Sequence, residues 1–352
     1  MYIRENEYGI IAKTDEVLKL NPNEWRVLSA IPRSNTIARI SELTGLPYST
    51  VIDVVKRLTR TGIEIHFIPH YDVMGLKPVF LLFESPSLEK VPLYTVRASK
   101  IKGKKSYFGV EGIVPEKLID NYVDAFPEKP LMKVEGDEIK HWSPTGRLTM
   151  YVSGLGLVLP STERLEEVMA AGKAPIERRE RRWIDWIDLL VIIFKMKYAY
   201  TKLSEVARLI EDQLKMEAPS RQLMSYHYRT HVMSIWNYNS VYFRLNDTVV
   251  PPRLYIFEGK ESKVIARTMV EMPYFFETLV NEGSAVVYAH PPCYTHKLVY
   301  EILSNVDAEL VFGELFRLAD QEFPWITAEA LKYYHEKGEW LDPSQYMHEV
   351  TI

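Results

Sequence analysis

The sequence predicts an α+β chain in which one ordered set of elements occurs twice. Three observations carry that expectation. Each half opens with three stretches of helical apolar spacing. Each third stretch gives way to strand patterns. Matching positions in the two halves keep a nearly constant offset.

In the first half, residues 23–31 have helical apolar spacing and end at a polar break, 33–35. A short helix is expected at 37–44, broken by Gly45-Leu46-Pro47. A longer helix, 48–61, stops at Gly62. Residues 63–67 alternate as a strand, and a second strand, 78–83, follows a turn around Gly75. Beyond it, 106–110 and 115–119 read as strand, turn and helix, an order met again at 284–288 and 295–299.

The second half runs in the same order. Helices are expected at 183–198 and 201–213, then a break at 217–219 and a third helix, 220–233. Residues 235–245 read as a hairpin with its turn at 237–240, and 253–257 as a strand. Ile40-Ser-Glu-Leu43 matches Leu203-Ser-Glu-Val206, Pro47 matches Pro219, and Phe83-Glu84 matches Phe257-Glu258. The offset grows through 163, 172 and 174 without a jump, as an internal duplication with small insertions would give. Two unrelated helical domains of similar periodicity are the alternative.

Four domains follow: a helical unit at 1–75, an α/β unit at 76–170, a second helical unit at 171–250, and a second α/β unit with a tail at 251–352. The boundary near 170–175 leads into a charged run, 176–182, which reads as a solvated helix start or as a linker tracking phosphates. The tail holds a helix pattern at 327–337 and an extended Trp340-Leu-Asp-Pro stretch. Hydrophobic residues make up 47% and charged residues 26%, the balance of a folded chain with sizeable cores. The formal charge of −4 argues against coating nucleic acid by charge alone, though not against reading it with one basic face. A single cysteine rules out an internal disulfide and a polythiolate zinc site. The first residues show no secretory leader and no apolar run is long enough to span a bilayer, so a cytoplasmic protein is expected.

Three helices followed by strands is the layout of a winged helix-turn-helix, in which the third helix must pack on one stripe and read DNA with the other. At 48–61, Val51, Val54, Val55 and Leu58 form the apolar stripe. Tyr48, Ser49 and Thr50 lie in the first turn, and Asp53, Lys56, Arg57 and Arg60 on the remaining surface; the cations suit phosphates or guanine edges. The offset places Ser220, Arg221, Gln222, Ser225, Tyr228 and Arg229 at the corresponding positions of 220–233, with His231 on the flank reaching for a phosphate. His227 falls on the inward stripe and reads as a core histidine. Asn237 and Asn239 are expected at a hairpin tip, as turn residues or minor-groove contacts.

Residues 219–232 resemble the recognition helix of archaeal regulators of the Lrp/AsnC type, and residues 63–83 are similar to that family's passage from wing to effector domain. The resemblance implies a ferredoxin-like, RAM/ACT-type α/β unit after each winged helix, double-stranded DNA as partner and a possible small-molecule effector. The duplication in turn implies a homodimer or an intramolecular pseudo-dimer. This chain departs in carrying two units, and Pro86 and Pro92 interrupt the helix expected after 79–83, so effector-binding residues are not carried over.

His290, Cys293 and His296 lie within seven residues and are plausible metal ligands, but a fourth is not evident and no metal or cofactor is expected. Gly154-Leu-Gly156 sits in a strand-like run, 151–159, and lacks phosphate-binding spacing. No catalytic constellation stands out, so the chain is not expected to be an enzyme. The expected function is a sequence-specific DNA-binding transcription regulator. The alternative is a winged-helix protein-interaction module or scaffold without direct DNA binding.

Overall fold

The computed structural model describes residues 17–85 and 87–352. The leader reading at 1–16 and the helix-breaking Pro86 lie outside the described residues. The chain is a mixed α/β protein with one large antiparallel sheet, and no described helix is long and apolar enough to cross a membrane.

The first helical unit comprises α1 (Pro22–Ala30), α2 (Ile37–Thr44) and α3 (Tyr48–Arg60). Asn21 starts α1 with a capping box: its side chain accepts the amides of Asn23 and Glu24, and Glu24 accepts the Asn21 amide. Gly45 ends α2 in the left-handed conformation, φ +67°, where a side chain would be strained. Strand β1 (Ile63–Pro69) follows, then β2 (Leu76–Phe83), β3 (Lys90–Pro92), β4 (Thr95–Lys102) and β5 (Ser106–Pro115). Next come α4 (Ile119–Asp124), β6 (Met132–Glu135), β7 (Glu138–His141), the β8 (Thr149–Val152) and β9 (Leu157–Pro160) hairpin, and α5 (Leu165–Gly172).

The second helical unit comprises α6 (Trp186–Lys197), α7 (Leu203–Leu209), which ends in a π turn, and α8 (Arg221–Thr230). β10 (Trp236–Phe243) and β11 (Arg253–Glu258) lead to α9 (Ser262–Met269), β12 (Phe275–Val280), β13 (Ser284–Ala289), α10 (His296–Leu303) and β14 (Glu309–Glu322). The tail holds α11 (Ala328–Lys337) and β15 (Met347–Glu349), which pairs with β3.

The large sheet has the order β6-β2-β5-β4-β14-β11-β13-β12-β7. Its halves repeat one arrangement: in each, the first strand lies between the fourth and the third, and the second lies beyond the third. The two edge strands, β6 and β7, are joined only by Gly136 and Asp137. The Gly136 amide donates to Pro78 O and the Asp137 amide to Val280 O, so the sheet wraps round until its edges meet. A side chain at Gly136 would collide with Leu279, which makes glycine the residue this seam requires.

The inside of the wrap holds Phe80, Ile101, Met132, Leu254, Ile256, Leu279, Val286 and Leu315. One end is charged: Arg97 pairs with Glu111 at 3.4 Å, His141 lies 3.7 Å from Glu277, and Arg97 and Arg317 both lie over the Tyr288 ring. Burial pushes the carboxyls of Glu111 and Glu277 above the usual range, against the pull of Arg97.

Three expectations are corrected. Residues 235–245 form no local hairpin. β10 is one continuous strand paired antiparallel with β1, from Ile63 opposite Phe243 to Pro69 opposite Trp236, because both strands bury one face between the helical units. Residues 151–159 are not a single strand, since the chain reverses between β8 and β9. The charged run at 176–182 is not a helix start. It runs extended along the first half, with the Arg182 amide donating to Val73 O, the Arg179 amide to Asp72 and the Arg178 guanidinium to Asp137 at 3.0 Å.

The missing helix after β2 also has a structural answer. The outer face of the first half's sheet is covered by α4 and by the tail: Trp325 Nε1 donates to Ile113 O, and the Tyr94 hydroxyl donates to Leu341 O.

Candidate nucleic-acid interface

Helix α3 buries Val51, Val54, Val55 and Leu58 and leaves Tyr48, Ser49, Asp53, Lys56, Arg57 and Arg60 exposed, with Thr50 half-buried. The spacing of the apolar residues dictates this: they recur at three and four and so share one face. The turn ahead of α3 is fixed by Ser41 Oγ donating to Leu46 O at 2.6 Å and by a contact between Arg26 and Thr44 O. Among the described residues Lys56 and Arg60 have no ion-pair partner. Arg57 does: its Nε donates to Glu24 Oε1 at 2.6 Å. The expectation of a free phosphate contact at Arg57 is therefore corrected, because a carboxylate of α1 lies within its reach.

Helix α8 starts at Ser220, whose hydroxyl accepts the Leu223 amide at 3.3 Å. Arg221, Gln222 and Arg229 are exposed and Ser225 is half-buried. Arg229 Nε donates to Ser225 O at 3.2 Å, which leaves the rest of its guanidinium outward. Met224 and His227 face the core, as the offset from α3 implies for His227. Two positions differ from expectation. Tyr228 turns inward, with Lys195 Nζ 4.9 Å from its ring centre. His231 points its Nδ1 at Asp188 Oδ2, 3.2 Å away, rather than outward to a phosphate. Both follow from the buried charges of α6, which offer each ring a partner that solvent does not.

Sequence reasoning missed Leu223 and Tyr226, which stand on the same outward side and are 42% and 53% exposed. Their three-residue spacing was the available signal, though apolar residues at helical spacing ordinarily mark a core face.

The ribbon of β1 and β10 fixes the two helical units to each other. Its register centres on His66 opposite Ser240. These are equivalent positions under the offset of 174, so the pairing runs about a local two-fold axis. Each half holds the other: Ala199 donates its amide to Ile65 O, while the Tyr200 hydroxyl and Asn239 Nδ2 both donate to Ser34 O. Asn239 is thus buried in the unit interface rather than at a hairpin tip, whereas Asn237 is exposed.

His290, Cys293 and His296 do not converge. His290 is buried, with Nε2 3.3 Å from the Tyr242 hydroxyl, and Cys293 is exposed. Among the described residues, the group of potential metal ligands that does converge is Asp185, Asp188, His227 and His231.

Comparison of the chain with protein-family models, curated proteins and solved structures gives no significant match. The candidate interface therefore stands on geometry alone: two outward helix faces, in units joined by one antiparallel ribbon, whose cations Lys56, Arg60 and Arg221 have no ion-pair partner among the described residues.

Proposed function

We propose that the chain is a sequence-specific DNA-binding transcription regulator in which α3 and α8 are the reading helices. One observation carries this reading. Both third helices turn their hydrogen-bonding side to solvent, and neither outer face is covered by another part of the described chain. Lys56 and Arg60 on one face and Arg221 and Arg229 on the other suit phosphates; Ser49, Thr50 and Gln222 in or near the first turns suit base edges.

The repeat of helices and strands supports a winged helix-turn-helix in each half, with the two wing strands paired to each other. The repeated strand order supports a ferredoxin-like unit after each. The resemblance to Lrp/AsnC-type regulators belongs with this reading. In it, the internal ribbon stands in for the contact between two subunits, making the chain an intramolecular pseudo-dimer.

Selection from random duplex DNA at physiological salt tests the proposal. An enriched motif bound by the full chain is the expected result. Absence of binding across the salt range, with the fold intact by circular dichroism, would leave the same faces to a protein partner and overturn the reading.

A further inference from the structure

We propose that Asp185, Asp188, His227 and His231 form a site for a divalent transition-metal ion, zinc foremost, that clamps the start of α6 to α8. The site stands on its own geometry and does not depend on α8 reading DNA.

Spacing puts two ligands on each of two helices, and the packing of α6 against α8 brings the pairs together. Asp185 caps α6 and Asp188 is its third residue, so both carboxylates lie at the same helix end. His227 and His231 are four apart on α8 and its end, and so share a face. One donor atom from each of the four lies within 4.8 Å of all the others. His227 Nδ1 is 2.9 Å from Asp188 Oδ1 and 3.2 Å from Asp185 Oδ2, and His231 Nδ1 is 3.2 Å from Asp188 Oδ2. Donors bound tetrahedrally at about 2.0–2.1 Å from one ion stand roughly 3.3 Å apart. The three contacts match that spacing, and the remaining pairs, within 4.8 Å, need to close by no more than about 1.5 Å.

The burial points the same way. Asp188 is 1% exposed within a helix otherwise nearly all apolar, an expensive place for a carboxylate unless a cation faces it. Asp185 and His231 keep about a third of their side chains in solvent, which leaves an entry path and room for a water ligand. Two imidazoles and two carboxylates suit zinc, cobalt or nickel. They do not suit magnesium, which prefers six oxygens. On binding, each imidazole would present the Nδ1 lone pair to the ion and carry its proton on Nε2.

The full chain, stripped with chelator and shown folded by circular dichroism, is titrated with Zn²⁺ and Co²⁺, with Mg²⁺ as control. The expected results are one ion per chain by calorimetry, visible Co²⁺ absorption of tetrahedral strength, and a raised unfolding midpoint with Zn²⁺ but not with Mg²⁺. Because Asp188→Asn risks misfolding, the decisive variants are Asp185→Asn and His231→Gln at the open side. Each should weaken Zn²⁺ binding by about 10-fold or more, while Cys293→Ser leaves it unchanged. A folded, stripped chain that takes up neither Zn²⁺ nor Co²⁺ overturns the proposal. So does uptake that both variants leave unaltered.

Discussion

At the residue scale, Lys195 shows how a charge in the helical core shapes stability. It is buried in α6 and donates to Ala199 O at 3.0 Å. Burial pushes its ammonium down to about 8. A base with a lowered folded pKa costs stability wherever the unfolded chain holds more protons than the folded one. That cost is fully present below about pH 8 and is relieved as pH rises towards the ordinary lysine value of 10.5. Lys195→Met, which keeps the stem and removes the charge, is expected to stabilise the fold by about 1–3 kcal/mol at neutral pH. Denaturant titrations of both proteins at pH 7 and pH 10.5 check this, since the difference must shrink at the higher pH. A constant difference would assign the effect to packing. The outward cations make the opposite kind of prediction. Replacing Lys56 and Arg60 together by Ala should leave stability within about 0.5 kcal/mol and lower the salt slope of DNA binding by about 2. An unchanged slope removes the α3 face from the phosphate contacts.

At the element scale, the β8–β9 hairpin shows a contact that pattern reading reached only in part. Its apolar residues were legible at 151–159, but its reversal was not, because the turn glycines sit inside an otherwise continuous run. Gly156 has φ +67°, its carbonyl accepts the Leu20 amide at 2.8 Å, and a Cβ there would stand 2.8 Å from Leu20 O. Gly156→Ala should therefore destabilise the chain by about 1–3 kcal/mol, read as a lower denaturant midpoint with an unchanged slope; a neutral effect would show that the hairpin does not hold α1. Most of the helices were legible to within a few residues, since amphipathic spacing, caps and breakers are local, but α9 was not expected. The partner of a strand is not local. β1 and β10 each looked ready for a neighbour in their own half, and nothing in either alternation marks a partner some 170 residues away. The same holds for Tyr228 and His231. Their positions on α8 follow from spacing, but their inward turn depends on Lys195 and Asp188 of another helix.

At the scale of the whole molecule, one chain holds two unlike outward helix faces about one local two-fold, and the proposed function makes both of them readers. Identical subunits read two equal half-sites, so palindromic operators mirror protein symmetry. Here the equivalent first-turn positions carry Ser49 and Thr50 on α3 but Arg221 and Gln222 on α8. Arg favours guanine and Gln favours adenine in the major groove, whereas Ser and Thr discriminate weakly. The preferred site should therefore have two half-sites of unequal information content, bound by one chain per duplex. Arg221→Ala should flatten the preference in the stronger half alone, at about 1–3 kcal/mol for the base it reads. Thr50→Ala should affect only the weaker half. Random-duplex selection with the parent and both variants, alongside sedimentation of the complex, measures each point. A symmetric motif, or both variants altering the same bases, would mean that the two faces do not divide the site. The unlikeness of α3 and α8 would then need another cause than recognition.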